Sequence, residues 1–158
     1  MVFESNRSGS RELWICDSDG GNQAQLTSFT GPVTGNGRWS PDGSQIAFDS
    51  RPEGHSQIYS ISSKGGPAHL LTNDAYDSLA PSWSHDGRWI YFGSNRGGTW
   101  QIWKMLAQGG DAVRLTNQGG YEALEAPDGQ SIFYNKYGYF TMGLFRRRLD
   151  EDTETRIL

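Results

Sequence analysis

The chain holds one cysteine, Cys16, in 158 residues. An internal disulfide is therefore excluded, and stability must come from packing and hydrogen bonds. The scarcity says nothing of compartment, because an oxidising location permits disulfides without requiring them. Long apolar runs are also lacking: no stretch approaches the ~20 residues of a membrane-spanning helix. Positive charge is short. Lys and Arg number 14 against 18 Asp and Glu, a net charge of −4. Nucleic-acid binding by this chain alone is not expected, since that work shows as a basic surface. The one basic cluster, Arg146-Arg147-Arg148, is followed at once by Asp150, Glu151, Asp152 and Glu154. It reads as a strand with an exposed charged face. No Gly-x-Ser-x-Gly motif is present, and Cys16 has no histidine near it in sequence. Met1 leads straight into strand-like residues, so no signal peptide is expected in this chain.

What is plentiful is glycine, 21 residues, and aromatic side chains, 13% of the chain. That mix suits many short strands with aromatic inner faces and frequent turns. The strongest signal is a repeat. Trp39-Ser40-Pro41-Asp42-Gly43 returns as Trp83-Ser84-His85-Asp86-Gly87 and, more loosely, as Glu125-Ala126-Pro127-Asp128-Gly129. Ser5-Asn6-Arg7 returns as Ser94-Asn95-Arg96, with Ser50-Arg51 between them. Gly20-Gly21, Gly65-Gly66 and Gly109-Gly110 keep the same period, as do Leu26-Thr27, Leu71-Thr72 and Leu115-Thr116. A period in the forties with strand-rich content indicates a propeller blade or similar array unit.

One unit reads as four short antiparallel strands. Gly37 to Ser40 is the first, closed by Pro41-Asp42-Gly43, whose residues suit a tight turn. Gln45 to Asp49 is the second, with Ile46 and Phe48 on one face at period two. Gln57 to Ile61 and Ala68 to Thr72 are the third and fourth, joined by Lys64-Gly65-Gly66-Pro67. The expected fold class is all-β: a partial propeller of just under four blades and fifteen strands. The expected segments are 1–30, a blade lacking its first strand, then blades at 31–75, 76–119 and 120–158. In such arrays each blade buries its faces against its neighbours. Two uncovered ends predict self-association, most simply as a two-fold pair, with a closed four-bladed ring as the alternative.

The Trp-Ser-Pro-Asp-Gly turn, the Phe-x-Ser-Asn-Arg-x-Gly segment, the Gln-Ile-Trp or Gln-Ile-Tyr strand and the closing Leu-Thr together resemble the TolB-like propeller repeat. The resemblance covers essentially the whole chain. It implies a β-propeller of six to eight blades in a complete protein. A repeat scaffold with no assembled catalytic set is expected to be non-enzymatic and to bind a protein or peptide through its loop face or central opening. That family includes a periplasmic translocation protein that binds a peptidoglycan-associated lipoprotein, so the resemblance implies a periplasmic location. It also includes sensor portions of bacterial regulators and propellers fused to serine peptidases. Those imply two alternatives: the sensor region of a transcription regulator, or the gating propeller of a peptidase.

The three histidines, His55, His69 and His85, occupy unrelated repeat positions, so no shared metal or catalytic cluster and no cofactor are expected. Asp42, Asp86 and Asp128 do recur, but a carboxylate before glycine in a tight turn is explained by bonding its own turn. Trp14, Trp39, Tyr59, Trp83 and Trp103 sit at repeat-equivalent positions and read as inter-blade core. Arg7, Arg51 and Arg96 recur just after the second strand. They read either as braces for their loops or as cations facing an acidic partner. The blade-to-blade connections share that face and add Tyr76, Tyr121 and Glu122. Trp100 breaks the repeat, in a loop whose equivalents are Ser56 and Arg11. The candidate partner-binding face is therefore Arg7, Arg51, Arg96, Trp100, Tyr76, Tyr121 and Glu122, with residues 136–142 as a further departure from the repeat.

Overall fold

The structure is a computed structural model that describes residues 1–31, 33–52, 54–136, 143–151 and 153–158. Among them fifteen strands form four antiparallel sheets. The first sheet comprises β1 (Val2–Ser5), β2 (Glu12–Ile15) and β3 (Ala24–Gln25). The second comprises β4 (Thr34–Trp39), β5 (Gln45–Ser50), β6 (Gln57–Ser62) and β7 (His69–Leu70). The third comprises β8 (Ser78–Trp83), β9 (Trp89–Ser94), β10 (Gln101–Leu106) and β11 (Val113–Arg114). The fourth comprises β12 (Glu122–Glu125), β13 (Ser131–Lys136), β14 (Gly143–Arg148) and β15 (Glu154–Arg156). Sheet neighbours are consecutive in sequence, which is the up-and-down order of a propeller blade.

The innermost strands β4, β8 and β12 pack in that order, and β1, the counterpart of β5 in the three-stranded first sheet, packs on β4 as β5 packs on β8, so the sheets stand around one axis. Among the described residues, no packing of that kind joins the fourth sheet to the first. The array is an open arc, which corrects the closed four-bladed alternative. The core lies between sheets, as alternation at period two requires. Ile46, Phe48, Tyr59 and Ile61 of the second sheet meet Leu13 and Leu26 of the first. From its other face, Ala47 and Ile58 meet Ile90, Phe92 and Met105 of the third. Tyr91, Ile102 and Leu115 then meet Ala123, Ile132, Tyr134 and Phe145 of the fourth. Each large side chain buried this way contributes about 1.5–3 kcal/mol.

The repeated motifs have local physical causes. In the Asp-Gly turns, Asp42 Oδ1 accepts from Ser40 Oγ at 2.6 Å and from the Ser44 N–H at 3.0 Å. These bonds lower its pKa to about 2. Asp86 does the same with Ser84 Oγ and the Arg88 N–H, and its pKa is likewise lowered, chiefly by the serine. The next residue, Gly43 or Gly87, has φ of 70° or 71°, where a side chain is strained. The closing Leu-Thr is a clasp on the Gln-Ile strand. Thr72 Oγ1 accepts the Ile58 N–H at 2.9 Å and donates to Gln57 Oε1 at 2.7 Å. Thr116 repeats this with Ile102 and Gln101, and Thr27 with Leu13 and Glu12.

The inner strand of the second sheet begins earlier than the sequence suggests, at Thr34 rather than Gly37, and that of the third begins at the equivalent Ser78. A bulge in each conceals the alternation: the register shifts between Gly35 and Arg38 and between Leu79 and Ser82. Asn36 and Ala80 sit in these bulges with φ of 55° and 51°. Each bulged N–H would be an unpaired donor, and the preceding sheet supplies the acceptor. Glu4 Oε1 accepts from Asn36 at 2.9 Å, and Asp49 Oδ1 accepts from Ala80 at 2.9 Å. Asp49 is 4% exposed, and burial pushes its pKa up to about 6 despite those bonds. At the third equivalent position stands Gly93. The fourth sheet has no bulge there, and the Tyr121 carbonyl oxygen would lie 2.1 Å from any Cβ at residue 93.

Two aromatic assignments change. Tyr59, Trp83 and Trp103 pack on the inter-sheet clusters. Trp39 is 38% exposed, because the three-stranded first sheet has no strand where β4 covers the counterpart Trp83, whose indole N–H donates to the Arg38 carbonyl at 3.0 Å. Trp14 is half-buried on the face of the first sheet that no described sheet covers, and the Arg7 guanidinium lies over it, 4.8 Å from its centroid.

Candidate functional site

The loops after the second strands and the sheet-to-sheet connections lie on one face, opposite the Asp-Gly turns. Its chemistry starts from an aromatic pair that every sheet repeats. Phe3 faces Trp14, Phe48 faces Tyr59, Phe92 faces Trp103, and Tyr134 faces Phe145 across adjacent strands. Each pair is capped. Arg7 covers the first, with its guanidinium 5.4 Å from Phe3. Arg96 covers the third, 5.2 Å from Phe92 and 5.1 Å from Trp103. Lys136 covers the fourth, its Nζ 4.0 Å from the Phe145 centroid, and pairs with Glu154. Stacked cations of this kind contribute about 0.5–2 kcal/mol each.

The second sheet departs from this rule. Phe29 caps its pair, with centroids 5.9 Å from Phe48 and 4.9 Å from Tyr59. Arg51 is thereby turned to the connection between the second and third sheets, where its Nη2 meets Asp77 Oδ1 at 3.1 Å. Asp77 also accepts the Ser56 N–H at 2.8 Å, and His55 Nδ1 lies 3.6 Å away. From the other side Arg96 Nη2 meets Asp74 Oδ2 at 2.9 Å. Burial lowers the Arg96 pKa, and Asp74 opposes that shift. Gln57 Nε2 donates to the carbonyls of Asp74 and Tyr76, at 2.9 and 3.0 Å. Residues 74–77 are thus pinned at both ends and from beneath. Tyr76 is left projecting, 46% exposed.

Further along the same face, Trp100 meets Tyr121 with ring centroids 5.0 Å apart and planes at 57°. Both are half-buried. Tyr121 is held by its N–H, which donates to the Asn135 carbonyl at 3.0 Å. Glu122, the next residue, turns to the axis and pairs with Arg38 Nη2 at 3.1 Å. The fold therefore gathers Arg51, Tyr76 and Arg96 around one connection and joins Trp100 to Tyr121. It leaves Arg7 two sheets away and sends Glu122 to the axial side. Residues 137–142 lie outside the described residues. Arg38 and Gln57 escaped sequence reasoning. Arg38 lies within a bulged strand, and Gln57 belongs to a motif whose role appears only once Thr72 is beside it. Among the described residues no group of three or more His, Cys, Asp and Glu could hold a metal ion. Among the described residues no helix is long and apolar enough to cross a membrane.

Four radial antiparallel sheets, with a face of pinned loops carrying aromatic side chains, define a β-propeller array. Residues 26–158 match the family described as TolB beta propeller domain, and the chain belongs to that family. A TolB homolog of Chlorobium chlorochromatii is 48% identical over 48 residues, which are 30% of this chain and 11% of that protein. Among solved structures, a TolB of Agrobacterium tumefaciens has a TM-score of 0.87 at 23% identity, covering 98% of this chain and 59% of that one. TolB of Acinetobacter baumannii has a TM-score of 0.81 at 26% identity, covering 92% of this chain and 37% of that one. A puromycin hydrolase shares the fold, with a TM-score of 0.74 at 17% identity over 94% of this chain and 26% of that one. The chain thus spans less than two thirds of the length of each of these proteins.

Proposed function

We propose that the chain is a non-enzymatic propeller scaffold that binds a protein or peptide on its loop face. The carrying observation is Tyr76: an aromatic side chain held out to solvent by a connection fixed through Arg51–Asp77, Arg96–Asp74 and Gln57. A rigid aromatic with little entropy to lose is the usual anchor of a protein interface. The Trp100–Tyr121 pair supplies a second anchor on the same face. Arg7, Arg51, Arg96 and Glu122 complete the candidate surface, with the arginines acting mainly as braces. Family membership supports protein binding as the role. The test is cross-linking of the purified chain in a bacterial lysate, repeated with Tyr76→Ala and Trp100→Ala. A discrete cross-linked partner that both variants lose is expected. Absence of any partner, together with turnover of a substrate in an activity screen, overturns the reading.

The fold shared with puromycin hydrolase favours one second reading, an accessory propeller of a peptidase. That role needs a catalytic domain on the same gene product, and the full reading frame decides it.

A further inference from the structure

On the opposite face, where the Asp-Gly turns lie, a depression of about 630 Å³ runs between the second and third sheets. Its second-sheet wall crosses the sheet from Ser40, just after β4, to Leu70 in β7. A depression of about 310 Å³ continues it towards the axis, and the two share Pro41 and Trp83. The inner part is lined by Trp39 and Leu124, 38% and 53% exposed. At the outer end stands Leu70, 46% exposed.

Two of these apolar side chains have no scaffold reason to be there. Leu70 faces Tyr59 across the strands, and its counterparts facing Trp14 and Trp103 are Gln25 and Arg114. Leu124 faces Phe133, and its counterparts facing Ala47 and Tyr91 are Arg38 and Ser82. The repeat tolerates polar residues at both positions, yet here each carries an exposed leucine. The larger depression is also lined by Asp42, Asp86 and His69 and by no lysine or arginine, and Arg38 of the smaller one is paired with Glu122. The turn bonds of Asp42 and Asp86 keep both carboxylates ionised well below neutral pH, so the charge is permanent.

We propose that this groove docks an extended peptide of alternating apolar and basic side chains, its apolar groups on Leu70 and the Trp83–Leu124 end and its basic groups beside Asp42 and Asp86. Four strands at ~4.8 Å spacing span ~14 Å, which an extended chain at ~3.3 Å per residue fills with about four to five residues. Opposite charge supplies orientation and association rate, and the apolar ends supply the buried contact.

The test is a ¹⁵N-resolved NMR titration with the capped pentapeptide Leu-Lys-Leu-Lys-Leu, and with its Leu-Glu-Leu-Glu-Leu counterpart. The Trp83 indole N–H, identified by its loss in Trp83→Phe, and the Leu70 amide should move with the lysine peptide alone. Asp42→Asn with Asp86→Asn keeps the turn acceptors and should weaken binding about ten-fold, two exposed charge pairs' worth. Should that double variant fail to fold by circular dichroism, Leu70→Ser replaces it and should also weaken binding. Equal shifts with the glutamate peptide, shifts confined to Tyr76 and Trp100, or undiminished binding by the folded variant would each overturn the proposal.

Discussion

Replacing Asp49 with asparagine should stabilise the protein at neutral pH and flatten its stability profile in mild acid. Asp49 is 4% exposed and accepts two bonds, from the Ala80 N–H at 2.9 Å and from Asn36 Nδ2 at 2.7 Å. Burial raises its pKa from 3.8 to about 6, with the Glu4 charge adding to the rise and Arg51 opposing it. The folded state therefore binds a proton more readily than the unfolded chain. The stability contributed by that proton is fully present below about pH 4 and is lost as pH rises through about 6. A shift of about two units corresponds to about 3 kcal/mol, which the wild type lacks at pH 7.5 relative to a neutral side chain. Both bonds are accepted by Oδ1, which asparagine keeps for the Ala80 N–H and the Asn36 amide alike. For a chain of this size ~1 kcal/mol moves Tm by about 2–4 °C, so Asp49→Asn should melt about 6–12 °C higher at pH 7.5 and no higher at pH 4. Denaturant or thermal unfolding of both proteins from pH 4 to 8 measures this, because the difference removes every group they share. A variant less stable than wild type at pH 7.5, or a gap between them that does not change with pH, refutes the reasoning.

Gly93→Ala should destabilise by about 3 kcal/mol or prevent folding, because the new Cβ meets the Tyr121 carbonyl oxygen at 2.1 Å; a soluble variant with wild-type Tm contradicts this. Thr72→Val strands the Ile58 N–H and the Gln57 carbonyl and should cost about 2 kcal/mol in urea unfolding, with Thr72→Ser restoring most of it. Tyr76→Ala touches only an exposed ring and should change stability by less than about 0.5 kcal/mol while abolishing partner cross-linking. If the uncovered faces of the first and fourth sheets pair two copies, light scattering should give twice the chain mass.

Much of the fold was legible in the sequence. Fifteen strands, the all-β propeller class and the Asp-Gly turns follow from local rules, because turn chemistry and period-two alternation act over a few residues. The duplicated register then multiplies each signal. The inner strands were harder: bulges at Asn36 and Ala80 break the alternation that marks a strand. The aromatic stripe was only partly legible. Repeat equivalence puts Trp39 and Trp83 in one class, but whether a ring is covered depends on what stands opposite it.

The sequence by itself determined the repeat unit and therefore the architecture. It also marked the loop face, because loops after equivalent strands must lie together. Tertiary structure alone decided what each side chain there does. Phe29 takes the capping place over Phe48 and Tyr59, which releases Arg51 to Asp77, which in turn sets Tyr76 outward. Nothing in the spacing of those residues encodes that chain of displacements, since it rests on contacts between side chains 19 to 30 residues apart that compete for the same space. The same holds for Asp49, an ordinary strand residue until the bulge of the next sheet lays an unpaired N–H against it.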